Sequence, residues 1–211
     1  MRAAVWYGPD QDLVMEEVEI DRPGPREVIV RTAAVGVCHS DLHIAVGKSA
    51  FPAPAILGHE GAGIVEEVGE LVTAVKPGDH VVVVCTPFCG RCRQCVTGHL
   101  NRCENPPVRT GNDRPALRLA KTGQPLVPMA NIGAFAEKMI LHENSMVKIP
   151  DDFPLDQAAL LGCAVVTGVG AALNTAKVTP GSTVVVFGGG GVGSFVIQGA
   201  RIAGARRIIL E

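Results

Sequence analysis

Through its first 150 residues the chain consists of short apolar runs cut by turn signals. Residues 14–20 show mixed alternation, Pro23-Gly24-Pro25 breaks the chain, and Glu27-Val28-Ile29-Val30-Arg31 reads as a strand. Ile64-Val65-Glu66-Glu67-Val68-Gly69 is another short strand. At Pro77-Gly78 proline sets the first corner of a turn and glycine supplies positive φ at the second. The buried strand Val81-Val82-Val83-Val84 follows. Residues 135–141 and Met146-Val147-Lys148-Ile149 return as strands, stopped by Pro150. Strands this short at this spacing predict a small β-barrel or sandwich. Residues 104–132, with Pro106-Pro107 and Gly111-Asn112-Asp113, are polar and aperiodic and predict a long excursion loop.

After Pro154 the pattern changes. Residues 155–161 predict a short helix and residues 165–177 a longer one, rich in small side chains. Pro180-Gly181 repeats the turn device, and Thr183-Val184-Val185-Val186-Phe187 is a strand with both faces apolar, as a parallel sheet demands. Glycines follow, then a helix over 192–203 stopped by Gly204, then the strand Ile208-Ile209-Leu210. The fold class is mixed α/β: a β domain over 1–164 and the first βαβ portion of a parallel sheet over 165–211.

Composition narrows the function. Apolar residues make up 47% of the chain, enough to bury a core, and a net charge of −2 excludes an electrostatic case for nucleic acid or an anionic membrane. The N-terminus turns polar by Pro9-Asp10, without the apolar run of a signal peptide. The apolar tract 184–200 is split by four glycines and holds Gln198, so it reads poorly as a membrane span. Seven cysteines without an export signal suit reduced, metal-bound thiols in the cytoplasm better than disulfides.

Cys89, Cys92, Cys95 and Cys103 put four thiolates on one short loop, and a closed tetrahedral zinc is the natural occupant. An iron–sulfur cluster is a rival, but the last gap is longer than in the ferredoxin pattern and Glu104, not proline, follows Cys103. A nucleic-acid-binding zinc ribbon lacks a clear basic excess around it. His59 and Glu60 sit between Gly58 and Gly61, with Cys38 upstream and Cys163 downstream. Two thiolates and an imidazole leave a fourth zinc position free, the catalytic pattern, provided the fold brings them together. Gly188, Gly190 and Gly193 form G-x-G-x-x-G between a predicted strand and a predicted helix, the context in which a dinucleotide pyrophosphate meets a helix N-terminus. A glycine-rich connection that merely packs helix on strand is the alternative. Glu211 stands near the point where that motif asks for a ribose-binding acid.

In this order these motifs resemble the zinc-dependent medium-chain alcohol dehydrogenases, over the whole chain. The excursion after Cys103 resembles their long-loop branch, with the liver-type and glutathione-dependent formaldehyde dehydrogenases. The resemblance implies a GroES-like β domain, with a structural-zinc lobe at 85–103, followed by a Rossmann domain. It implies two zincs per chain: one on Cys89, Cys92, Cys95 and Cys103, and a catalytic one on Cys38, His59 and Cys163 with Glu60 behind it. Asp41 would fix the His59 tautomer, and Ser40 and His43 would relay the alcohol proton. His39, Thr167, Gly188, Gly190, Gly191, Val192 and Gly193 would contact NAD, with NADP open. Read alone, Ser40 and His43 fit a satisfied buried serine and a surface histidine better than a proton relay.

The implied reaction is oxidation of a primary alcohol by zinc acting as Lewis acid, with hydride passed to the nicotinamide. There are departures. His39 stands where many relatives carry arginine, and it is only partly charged near neutral pH. Cys85 stands where liver-type enzymes carry a bulky aromatic, and Met129 falls at another pocket position, which leaves room for a benzylic or longer alcohol. The chain supplies two of about six Rossmann strands. The sequence therefore also predicts little turnover by these 211 residues alone, a homo-oligomer for a complete enzyme, and, as the competing reading, an inactive zinc-binding fragment with a structural or partner-binding role.

Overall fold

The computed structural model describes residues 1–107 and 116–211, which form two compact units, Met1–Ala159 and Leu160–Glu211. The first unit holds strands β1 (Arg2–Trp6), β2 (Val14–Ile20), β3 (Glu27–Gly36), β4 (Ala55–Ile56), β5 (Glu60–Val68), β6 (His80–Val83), β7 (Leu117–Leu119), β8 (Val127–Pro128), β9 (Lys138–His142) and β10 (Met146–Lys148). Helices are short: α1 (His39–Ala45), α2 (Arg93–Val96) and α3 (Leu155–Ala158). The strands make two five-stranded sheets, in the orders β7-β2-β1-β4-β8 and β10-β6-β5-β3-β9.

The period-2 geometry of a strand lets β3 and β9 serve two cores at once. Val28, Val30, Met139 and Leu141 pack with Val65, Val81 and Val83. The intervening Ile29 and Ile140, opposite each other in the ladder, pack with Ala3, Val5, Val18, Ile56 and Leu117. Both β3 and β5 run longer than the sequence predicts, and that matters for the site. Bulges between Ile29 and Val30 and between Thr32 and Ala34 carry the β3–β5 ladder on to the pair Gly36↔Glu60.

The excursion predicted over 104–132 is not structureless. β7 extends the first sheet against β2, and β8 runs parallel to β4. These segments are two and three residues long, too short for period to register. Gly111-Asn112-Asp113 lies outside the described residues. Met129 is buried with Trp6, Ile44, Ala55 and Leu57.

In the second unit the longer predicted helix is α4 (Val166–Gly170) with a wide π turn on either side, Leu161–Val165 and Ala171–Thr175. β11 (Thr183–Val186), α5 (Gly191–Ile202) and β12 (Arg207–Leu210) follow, with β11 and β12 parallel in a two-stranded sheet. The apolar pattern of β11 predicts burial on both faces, but Val185 is 47% and Phe187 79% exposed.

Candidate metal centres

The end of the β3–β5 ladder builds the first centre. Gly36 pairs with Glu60, so Cys38, two residues beyond Gly36, and His59, one before Glu60, leave the same end of the sheet. Ligand atoms of Cys38, His59 and Glu60 lie within 4.8 Å of one another. Asp41, buried in α1, ties the segments together. Its carboxylate accepts from the backbone N–H of Cys38 at 2.9 Å, from that of Gly58 at 3.0 Å, and from His59 Nδ1 at 3.3 Å. Gly58 is obligatory here: its φ is +89°, and a Cβ would lie 2.7 Å from the Phe135 ring. With Nδ1–H given to Asp41, the His59 Nε2 lone pair is left for a metal.

The charges follow from the contacts. The hydrogen bond to Asp41 outweighs burial and pushes the His59 pKa up to about 9. Burial works against the Cys38 thiolate, but hydrogen bonds from Ser40 and His59 hold its pKa below the ordinary value. Ser40 Oγ lies 3.5 Å from Cys38 Sγ. His39 and His43, one turn apart on α1, meet edge to face with ring centroids 4.8 Å apart.

The second centre is the loop of Cys89, Cys92, Cys95 and Cys103, all free thiols. Their sulfurs lie 3.4 Å (Cys92–Cys95), 3.9 Å (Cys92–Cys103) and 4.0 Å (Cys89–Cys95) apart. Zinc–sulfur bonds of about 2.3 Å put the corners of a regular tetrahedron about 3.8 Å apart, so the spacing fits that ion. Backbone N–H groups point at the sulfurs: Cys89 N donates to Cys103, Cys92 N to Cys89 and Glu104 N to Cys92. N–H donation from Glu104 and Cys95 brings the Cys92 pKa down to about 6.

In the second unit the glycine turn runs from β11 into α5. Gly188 has φ +93°, and its N–H donates to the Glu211 carbonyl at 2.7 Å. A Cβ on Gly193 would lie 1.9 Å from the Gly188 carbonyl, so the helix can start this close only without a side chain. Gly190, the N-cap of α5, faces open space, leaving room that a pyrophosphate can use. Glu211 directly follows β12, and its N–H donates to the Val186 carbonyl at 3.0 Å. Val192 and Thr167 are exposed. Cys163 lies, half-buried, in the π turn Leu161–Val165.

The family model for the alcohol dehydrogenase GroES-like domain matches residues 24–151, which contain the Cys38–His59–Glu60 cluster and the four-cysteine loop. The chain belongs to the zinc-dependent medium-chain alcohol dehydrogenases. Within this family it is 40% identical, over 99% of its length, to "Putative alcohol dehydrogenase D" of Mycobacterium tuberculosis. An alcohol dehydrogenase zinc-binding domain protein from Burkholderia ambifaria superposes with a TM-score of 0.91 at 39% identity, covering 99% of this chain and 58% of its own. Benzyl alcohol dehydrogenase from Acinetobacter calcoaceticus gives 0.88 at 36%, covering 99% of this chain and 57% of its own. The chain spans 57% of the length of the curated relative.

Two features of this alcohol dehydrogenase chain escaped sequence reasoning. The double backbone grip of Asp41 on Cys38 and Gly58 has no local signal, because Gly58 is distant in sequence. The cavity beside Cys85 is lined also by Thr86, Pro87, Asn101, Ala130 and Asn131, so the residues next to Met129 reach it although Met129 does not. Burial of the Cys85 thiol, with the charges of Cys38 and Glu60, raises its pKa.

Proposed function

We propose that the chain carries the alcohol-oxidising centre of a zinc dehydrogenase that takes a primary alcohol, benzylic or longer-chain, to its aldehyde with NAD as acceptor. One observation carries the reading: a Cys38–His59 pair oriented by buried Asp41 stands apart from a complete four-thiolate set. In the reading, Cys38, His59 and Cys163 hold the catalytic zinc, and Cys89, Cys92, Cys95 and Cys103 the structural one. Bound at the first set, zinc supplies a Lewis acid that lowers the pKa of a substrate hydroxyl. Asp41 keeps the His59 tautomer fixed. Ser40 takes the alcohol proton, for which a hydroxyl suits because it both donates and accepts, and His43 passes it outward. The Gly188–Gly193 turn grips the pyrophosphate, His39 contacts it, and Thr167 and Val192 border the nicotinamide.

The small thiol of Cys85, in a cavity with Pro87 and Ala130, supports a substrate bulkier than ethanol, and one similar protein is a benzyl alcohol dehydrogenase. Reduced thiols as ligands suit the cytoplasm, and the reading includes a small alcohol as partner and a homo-oligomer as working form. A zinc-binding role without turnover is the second reading, favoured by the exposed apolar residues of β11. The test completes the chain with the C-terminal part of a longer relative and follows NADH formation with benzyl alcohol. Turnover that disappears in Cys163→Ala while the four-cysteine zinc stays is expected. Undiminished turnover in Cys163→Ala contradicts the ligand assignment, and no turnover in either protein favours the second reading.

A further inference from the structure

Residues 84–88 form a stem between β6 and Cys89, the first thiol of the four-cysteine loop. Both ends of this stem are bonded to one short turn, Glu143–Ser145. The Val84 N–H donates to the Ser145 carbonyl at 2.9 Å. At the far end the Asn144 side-chain amide donates to the Phe88 carbonyl at 2.7 Å. A carbonyl only accepts, so the amide nitrogen, not its oxygen, must face Phe88.

The turn is a firm base. Glu143 is buried, and its carboxylate accepts from the backbone N–H of Thr73 at 3.0 Å and of Ala74 at 3.2 Å, and from Arg26 Nη1 at 2.6 Å. Its own N–H donates to the Arg26 carbonyl at 2.9 Å. The Asn144 N–H donates to His142 Nδ1 at 3.1 Å, which closes the start of the turn. The stem also carries Cys85, whose thiol feels the charges of Cys38 and Glu60. The turn thus holds both ends of the segment that carries Cys85 and leads into Cys89.

We propose that Asn144 is a positioning residue, acting through the Phe88 carbonyl, that holds this stem and so keeps Cys89 in register for the lobe's metal. The inference rests on the zinc reading of that lobe. Asn144→Ala and Asn144→Asp both lack the donor, and the carboxylate of the second also repels the carbonyl. The full chain is loaded with cobalt in place of zinc, and loss of the four-thiolate absorption to a chelator is timed. Labelling of Cys85 by a maleimide, read by peptide mapping, is timed in parallel.

The expected result is faster cobalt loss in both variants, by about fivefold for one net hydrogen bond, with faster Cys85 labelling. Val18→Ala, a core change on β2 remote in sequence from the turn, serves as control and should leave both rates at the wild-type value despite lowering Tm. Unchanged rates in the Asn144 variants overturn the proposal. So does an equal rise in Val18→Ala at matched Tm, which would make Asn144 an ordinary stabilising residue. Wild-type protein that takes up no cobalt on the four cysteines overturns the zinc reading instead, and the Cys85 rate then decides the role of Asn144.

Discussion

Asp41 shows how much one carboxylate can organise. It caps the start of α1 through the Cys38 N–H, fixes the backbone before His59 through the Gly58 N–H, and orients the His59 ring. Asp41→Asn should lose both the strong acceptor and the charge. In metal-free protein the His59 pKa is then expected to fall from about 9 toward its ordinary 6.5, as followed by its ring proton shifts. Stability has a matching signature. A group whose folded pKa is raised stabilises fully below its unfolded value, and loses that contribution as pH rises through the folded one. Metal-free wild type should therefore lose Tm between pH 6.5 and about 9 by this term, and Asp41→Asn should not. Zinc affinity at the Cys38–His59 centre should drop about 10- to 100-fold in the variant, the usual cost of losing the partner that orients a ligand. The residue types of this centre were legible only together: a lone His-Glu is an ordinary dipeptide, and Cys38 upstream with Cys163 downstream makes it a zinc set. Their convergence was not, since it depends on the Gly36↔Glu60 register and two bulges that leave no periodic trace.

At the scale of elements, the Glu143 turn and the glycine turn make opposite demands on a substitution. Burial disfavours the Glu143 carboxylate, but N–H groups of Thr73 and Ala74 and the Arg26 guanidinium outweigh it and hold its pKa below the ordinary 4.5. The sign is that of a depressed acid: its contribution is complete above 4.5 and lost as pH falls through the native value. Acid unfolding of Glu143→Gln should accordingly be flatter below pH 4.5 than that of wild type. At neutral pH Glu143→Ala should cost about 1–3 kcal/mol by chemical denaturation, since two N–H groups lose their acceptor. The glycine turn separates packing from binding. Gly193→Ala meets the Gly188 carbonyl and should destabilise the second unit, whereas a Cβ at Gly190 meets nothing within 4 Å. Gly190→Ala should keep its circular dichroism and melting profile yet bind NAD more weakly in a calorimetric titration. The strand–turn–helix context of this loop was readable because hydrophobic period and glycine spacing coincide there. β4, β7 and β8 were not, because elements of two or three residues carry no period and exist only through their partners.

For the molecule as a whole, the two units differ in how completely their apolar surface is covered. The first encloses two cores on either side of β3 and β9. The second leaves Phe187, Ile202 and Leu210 at least half exposed. Sequence pattern anticipated a buried parallel strand at β11 because Val-Val-Val is what such a strand needs on both faces. The pattern reports the environment the strand suits, not the layers present to supply it. Family membership rests on the match over residues 24–151, and the central claim of the proposed reading is that each chain holds two chemically distinct zincs. Elemental analysis after zinc saturation and removal of loose metal tests it most directly, on wild type, Cys103→Ser and Cys38→Ser. The account predicts two zincs in wild type and one in each variant, with the four-thiolate cobalt spectrum lost only in Cys103→Ser. One zinc in wild type, iron in place of zinc, or loss of both zincs from either variant would contradict it.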